Sequence, residues 1–286
     1  MVKTYLAILL LAAAEQCLAA PKSAFAIVHP VFATGEDGPP VATDYQFVPA
    51  DTIYFSCQAE GYRKVDKPDD YGKQAIHLKY QIEARDAHGI LLQPPTEGEV
   101  KTDVTSEDKN WEPKFRYKIV VPPLPDPGEY VVLVKLSDEQ AKAETELRAP
   151  FSVTARNVAP SDTLIVRNFH FLRSEDDPKP LEVAAYRPGD PVWARFDMTG
   201  YKFGEKNLVD IEYGLTVLRA DGSTAYTQPE AAKQRVQTFY PQRYQPGELS
   251  LNLATDQALG KYTIVLTVRD NISHQTYETR QTFSVE

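Results

Sequence analysis

Asp126-Pro-Gly-Glu-Tyr130, with the alternating run Val131 to Leu136 behind it, is the stretch that decides the fold. It recurs as Leu259-Gly-Lys-Tyr262, followed by Thr263 to Val268. About twenty residues later both copies reach the same ending, Phe151-Ser-Val153 and Phe283-Ser-Val285. Apolar residues at every second position after a Gly-x-Tyr turn mark half-buried strands rather than helices. The two copies therefore predict the last two strands of two similar β-sandwiches.

The repeat extends upstream in the same order. Phe47-Val-Pro-Ala-Asp51 and Tyr186-Arg-Pro-Gly-Asp190 each introduce a strand, Ile53 to Cys57 and Val192 to Phe196, and both strands end at Gly-Tyr (Gly61-Tyr62, Gly200-Tyr201). Ile76, Leu78, Tyr80, Ile82 and Ala84 alternate with polar residues before the turn Asp86-Ala-His-Gly89. Val209, Ile211, Tyr213, Leu215 and Val217 do the same before Ala220-Asp-Gly222. Phe115, Tyr117, Ile119 and Val121 answer to Leu249, Leu251 and Leu253. A period near 130 residues is that of a whole domain, not of a solenoid. The expected plan is a sandwich over residues 24–154, a short polar linker over 155–163 and a second sandwich over 164–286. No segment has convincing helical period, and Glu230 to Gln237 reads as a loop with one turn.

Composition agrees with an all-β chain. It has 286 residues, 22 of them proline, 16 tyrosine and 12 phenylalanine, a mix of strand-formers and strand-end residues. A net charge of −9 with no more than two adjacent Lys or Arg argues against nucleic acid and anionic membranes as partners. Lys3 and the apolar run Leu6 to Ala14 read as a signal peptide over 1–19, with an alternative end at Ala26, so the chain is expected to be exported to the periplasm or beyond. No later apolar run is long enough to span a bilayer. After cleavage Cys57 is the one remaining cysteine, which leaves the sandwiches to be held by packing without a disulfide.

Asp126-x-Gly-x-Tyr130 resembles the corner before the penultimate strand of immunoglobulin-type sandwiches, where a tyrosine hydroxyl bonds back to the backbone. The tandem as a whole looks like bacterial extracytoplasmic immunoglobulin-like or fibronectin-III-like domains. That resemblance implies an inter-sheet disulfide, but Val132 and Ile264 stand at the later cysteine position, and Tyr80 and Tyr213 lie on the strand that carries the family's tryptophan. It implies a fold, not an activity.

Chemistry-bearing motifs are sparse. Cys57 keeps strand register with Ile53 and Phe55 and has Phe196 as its counterpart, which predicts an inert core thiol. His29, His77, His88, His170 and His274 show no metal-ligand spacing, and no nucleophile elbow or phosphate loop occurs, so neither catalysis, cofactor nor metal is expected. Glu36-Asp37, Asp69-Asp70 and Glu175-Asp-Asp177 offer oxygen ligands for calcium, set against a reading as solvated turns. Loops rich in aromatic residues are the candidate ligand contacts: Tyr62, Tyr71, Tyr201, Phe203, Tyr240, Arg243 and Tyr244. Their rings could stack on a glycan or anchor a protein, or could cap the sandwich ends. The expected function is a non-enzymatic binding or structural module of the cell envelope, its partner an envelope or surface protein or a glycan, engaged through loops or by strand addition at a sheet edge. The alternatives are a carbohydrate-binding module, with coplanar exposed rings among Phe203, Tyr240 and Tyr244, or an accessory domain of an extracellular hydrolase system.

Overall fold

The computed structural model describes residues 24–68, 72–108 and 111–286. The expected signal peptide and Cys17 lie outside them. The first nine strands are β1 (Ala26–Ala33), β2 (Gln46–Phe47), β3 (Thr52–Glu60), β4 (Val65–Asp66), β5 (Lys73–Arg85), β6 (Thr96–Thr105), β7 (Lys114–Val120), β8 (Gly128–Asp138) and β9 (Ala143–Val153). The remaining eight are β10 (Ile165–Leu172), β11 (Ala185–Tyr186), β12 (Pro191–Thr199), β13 (Leu208–Arg219), β14 (Thr224–Gln237), β15 (Tyr244–Asn252), β16 (Gly260–Asp270) and β17 (Gln275–Val285).

The strands form two tandem sandwiches, antiparallel except where the two-residue strands β2 and β11 pair in parallel with β9 and β17. In the N-terminal one the sheet β1-β3-β7 faces β2-β9-β8-β5-β4, with β6 also paired to β5. In the C-terminal one β10-β12-β15 faces β11-β17-β16-β13-β14. The inner faces read directly from the alternation: Ile53, Phe55 and Cys57 from β3 meet Val132, Val134 and Leu136 from β8, and Val192, Ala194 and Phe196 meet Ile264, Leu266 and Val268. Each is a closed apolar layer between two sheets, as sandwich packing requires.

The predicted corner is present in both sandwiches. The Tyr130 hydroxyl donates to the Asp126 carbonyl at 2.7 Å, and the Tyr262 hydroxyl donates to the Ala258 carbonyl at the same distance. Other devices are duplicated too. Buried Asp138 accepts from the Arg63 and Gln140 amides, and buried Asp270 accepts from those of Lys202 and Ile272. Each carboxylate thus ties the start of one loop to the turn of the last hairpin. Both first strands carry a bulge, centred on His29 and Asn168 in the left-handed region (φ 52° and 49°).

Among the described residues no disulfide braces the sheets, so packing must, and the two cores solve this differently. Cys57 pairs across strands with Phe115, whereas Phe196 pairs with Gly247. The large and small members have changed places. A Cβ on Gly247 would collide with the Phe196 ring, so the glycine is set by the phenylalanine opposite. Tyr80 packs against Phe115 and Tyr213 against Phe196, each with ring centroids 5.2 Å apart.

Glu230 to Gln237, read from sequence as a loop, lies within the long strand β14. Its alternation is broken by a register shift opposite Tyr213 to Leu215, and Ala231, Ala232 and Val236 supply only small apolar groups to the core. Strand β6 is similarly hard to read, because Glu97, Glu99, Lys101 and Asp103 leave it almost wholly polar.

The corner bond gives a direct expectation. Tyr130→Phe deletes one buried hydrogen bond and should lower stability by about 1 kcal/mol, read from urea denaturation; a variant that unfolds like the parent would show that the corner bond contributes nothing.

Candidate functional site

The aromatic loops do not line a common binding face. Tyr201, Tyr240 and Tyr244 are only 6, 5 and 5 % exposed. The Tyr201 hydroxyl donates to the Gln242 carbonyl, which pins the loop between β14 and β15 to the end of β12. Phe203 stays 38 % exposed, its ring edge-on to Tyr201 at 5.6 Å. Tyr62 sits at the opposite end of the molecule's N-terminal sandwich, its hydroxyl on the Trp111 carbonyl at 3.1 Å and the Lys64 ammonium 5.6 Å from its ring. Tyr71 lies outside the described residues. The coplanar platform expected of Phe203, Tyr240 and Tyr244 is therefore absent, because two of the three rings are buried.

What buries them is the junction between the sandwiches. Tyr240 leaves its own sandwich and completes the apolar core of the other one. There its hydroxyl donates to Asp86 Oδ2 at 2.9 Å, while Asp86 Oδ1 accepts from the His88 and Ile90 amides at 2.9 and 2.8 Å. Both oxygens of this buried carboxylate are thus satisfied, which a buried charge needs. The Tyr240 hydroxyl also lies beside that of Tyr130. Burial, more than any neighbouring charge, pushes the Tyr130 phenol up to about 12 and raises that of Tyr240 further, so both stay neutral donors at physiological pH. Three residues on, the Arg243 guanidinium reaches Asp126 Oδ2 at 3.2 Å, with His88 Nε2 at 3.5 Å from the same oxygen. The first stretch read in the sequence is therefore both a corner of one sandwich and the socket for the other.

The linker is held as well. Arg156 meets the fully buried Asp197 at 3.0 Å, Asn168 satisfies the second oxygen, and the Ala159 carbonyl accepts from Arg167. Gly200 (φ 80°) passes so close to Thr163 that a Cβ would strike its carbonyl oxygen. Beside the junction runs an open cleft of about 820 Å³, walled by Ile90, Leu91, Phe239 and Pro241 with Arg85 and Lys206 at its rim.

Composition of the loops could not distinguish exposed from buried rings. A usable signal was the breakdown of the repeat: Asp86 and Asp126 answer to Arg219 and Ala258 in the second copy, so these two acids serve something the repeat does not share. The acidic loops have other employment. Glu36 and Asp37 face Arg116 at 3.9 and 2.9 Å, Asp177 accepts from the Lys179 amide, and Asp69-Asp70 lie outside the described residues. Among the described residues no cluster of His, Cys, Asp and Glu could hold a metal. No helix there is long and apolar enough to cross a membrane.

Comparison with protein-family models gives no match, and no curated protein matches. Among solved structures, the chain is similar to the C-terminal domain of the Streptococcus pyogenes antigen I/II-family protein AspA, at 10 % identity over 91 % of this chain and 99 % of that one, TM-score 0.29. It is similar to the C-terminal domain of the Streptococcus agalactiae antigen I/II polypeptide BspA, at 12 % identity over 90 % and 100 %, TM-score 0.28. A family 123 glycoside hydrolase from Clostridium perfringens aligns at 12 % identity over 43 % of this chain, TM-score 0.30, and the chain spans only 27 % of that enzyme. Likenesses this distant carry nothing about activity or partner.

Two measurements test this arrangement. Tyr240→Phe leaves Asp86 without one donor and should cost about 1–3 kcal/mol; combined with Arg243→Ala it should speed proteolytic cleavage within 155–163 while the far-ultraviolet circular dichroism is kept. Cys57 is buried and burial pushes its thiol up to about 12. A maleimide should therefore label it only after denaturation, and rapid labelling of native protein would contradict an inert core role.

Proposed function

We propose that the chain is an exported, non-enzymatic binding or structural module of the cell envelope, periplasmic or extracellular. On this reading a signal peptide over 1–19 is removed, and domains over 24–154 and 164–286 stand on either side of the linker 155–163. Phe25 packs on the first core and Ala26 opens β1, which favours the earlier of the two cleavage points. The observation that carries the proposal is the junction. Side chains with the most chemical potential, Asp86, Asp126, Tyr130, Tyr240 and Arg243, are spent on locking one sandwich to the next. Such a lock makes sense in a support that presents surfaces at fixed spacing to an envelope or surface protein or a glycan. Among the described residues it leaves none of these five side chains as a free acid, base or nucleophile.

The test is retention of native envelope components on the immobilised intact chain, compared with the same chain denatured. The expected result is a specific species held by the folded chain and released unchanged. Retention of nothing, or release of chemically cleaved material, would count against a non-enzymatic binder.

A further inference from the structure

Among the described residues strand β7 is the outer strand of its sheet, paired only to β3. The direction of its free groups follows from its ends. The Ala59 amide donates to the Pro113 carbonyl and the Val121 amide to the Asp51 carbonyl, so odd-numbered residues bond toward β3. Lys114, Arg116, Lys118 and Val120 therefore turn their N–H and C=O groups outward. At one end the Gln93 side chain covers two of these, donating to the Lys118 carbonyl at 2.8 Å and accepting from the Val120 amide at 3.2 Å. That side-chain amide thus occupies the free carbonyl and amide at this end of the strand. Among the described residues no strand continues the pattern along Arg116 and Lys114.

The same residues put a row of cations on the solvent face, in a chain whose net charge is −9. Lys118 lies 6.0 Å from the Tyr54 ring, and Arg116 is met by Asp37 at 2.9 Å from the loop after β1. Lys114, Arg116, Lys118, Tyr54 and that loop wall a groove of about 380 Å³. Asp37, in a turn, already shows that the row accepts a carboxylate.

The other sandwich is the internal control. Its corresponding edge, β15, places Pro246 at the position of Lys114 and Glu248, already paired with Arg195 at 2.8 Å, at the position of Arg116. Proline removes the donor a new strand would need. Strand β14 carries Pro229, and β1 and β10 are bulged. Edges are normally blunted in these ways against unwanted pairing; along Lys114 and Arg116 the outward backbone of β7 has no strand partner among the described residues, and the two side chains meet Asp37 at 3.9 and 2.9 Å.

We propose that the outer edge of β7 docks an extended acidic segment of a partner protein, added as an antiparallel strand with its carboxylates opposite Lys114, Arg116 and Lys118. Backbone bonds to the edge would supply affinity, and the cross-strand ion pairs would supply choice of partner. This rests on the binding-module reading and names its surface.

The experiment uses the intact chain, isotope-labelled, and two short synthetic peptides that alternate valine with glutamate or with lysine. The glutamate peptide should slow amide exchange at Lys114 and Arg116, with binding that weakens as salt rises; the lysine peptide should not. Lys114→Glu with Lys118→Glu should weaken binding by about tenfold, the worth of two exposed ion pairs. Arg116→Pro, which removes an outward amide, should abolish binding at an unchanged melting temperature; if it unfolds, the charge-reversed variant decides alone. Equal binding of both peptides, protection elsewhere, no protection at saturating peptide, or indifference to charge reversal would each overturn the proposal. If the charge-reversed chain still retains the envelope species held by the parent, the edge assignment falls and the binding-module reading stands.

Discussion

The hydroxyl of Tyr130 is the point on which both sandwiches depend. Toward its own backbone it closes the corner at Asp126, and on its other side it meets Tyr240 from the second sandwich, which in turn completes Asp86. Fold and junction thus share one small polar cluster inside an apolar surround. A cluster of this kind discriminates strongly between one arrangement and its neighbours, because any displacement leaves a buried carboxylate short of a donor. Apolar contact alone would tolerate sliding and rotation between the two units.

Much of the architecture was legible because it is written in local pattern. Residues 131–136 and 263–268 alternate cleanly, Gly-x-Tyr precedes each, and the turn at Asp86 to Gly89 ends its strand as turn chemistry demands. Strands β6 and β14 escaped the same reading because edge strands bury little, and β14 is interrupted where Pro229 interrupts its register with β13. The junction was illegible for a different reason. Tyr240 and Asp86 are separated by 154 positions, and a tyrosine in a polar loop looks the same whether it will meet solvent or a buried carboxylate.

The two cores also show how a duplicated fold drifts while its volume is held. Cys57 with Phe115 and Phe196 with Gly247 are the same pair of positions filled in opposite order. Neither half could accept its counterpart's residue at one position alone: a phenylalanine at Cys57 would meet Phe115, and a cysteine at Phe196 would leave a void above Gly247. Cys57 is thereby explained as the small member of a packing pair.

Head-to-tail contact between two copies of one fold is open-ended in principle, since each leading end could meet the trailing end of another molecule and propagate as a fibre. Here the second trailing end carries Arg219 and Ala258 where the first has Asp86 and Asp126, and the first leading loop carries Trp111 where the second has Arg243. The plug and the socket each occur once, and they are matched to one another within the chain. The matched pair therefore saturates within the chain and leaves no complementary end for a second molecule.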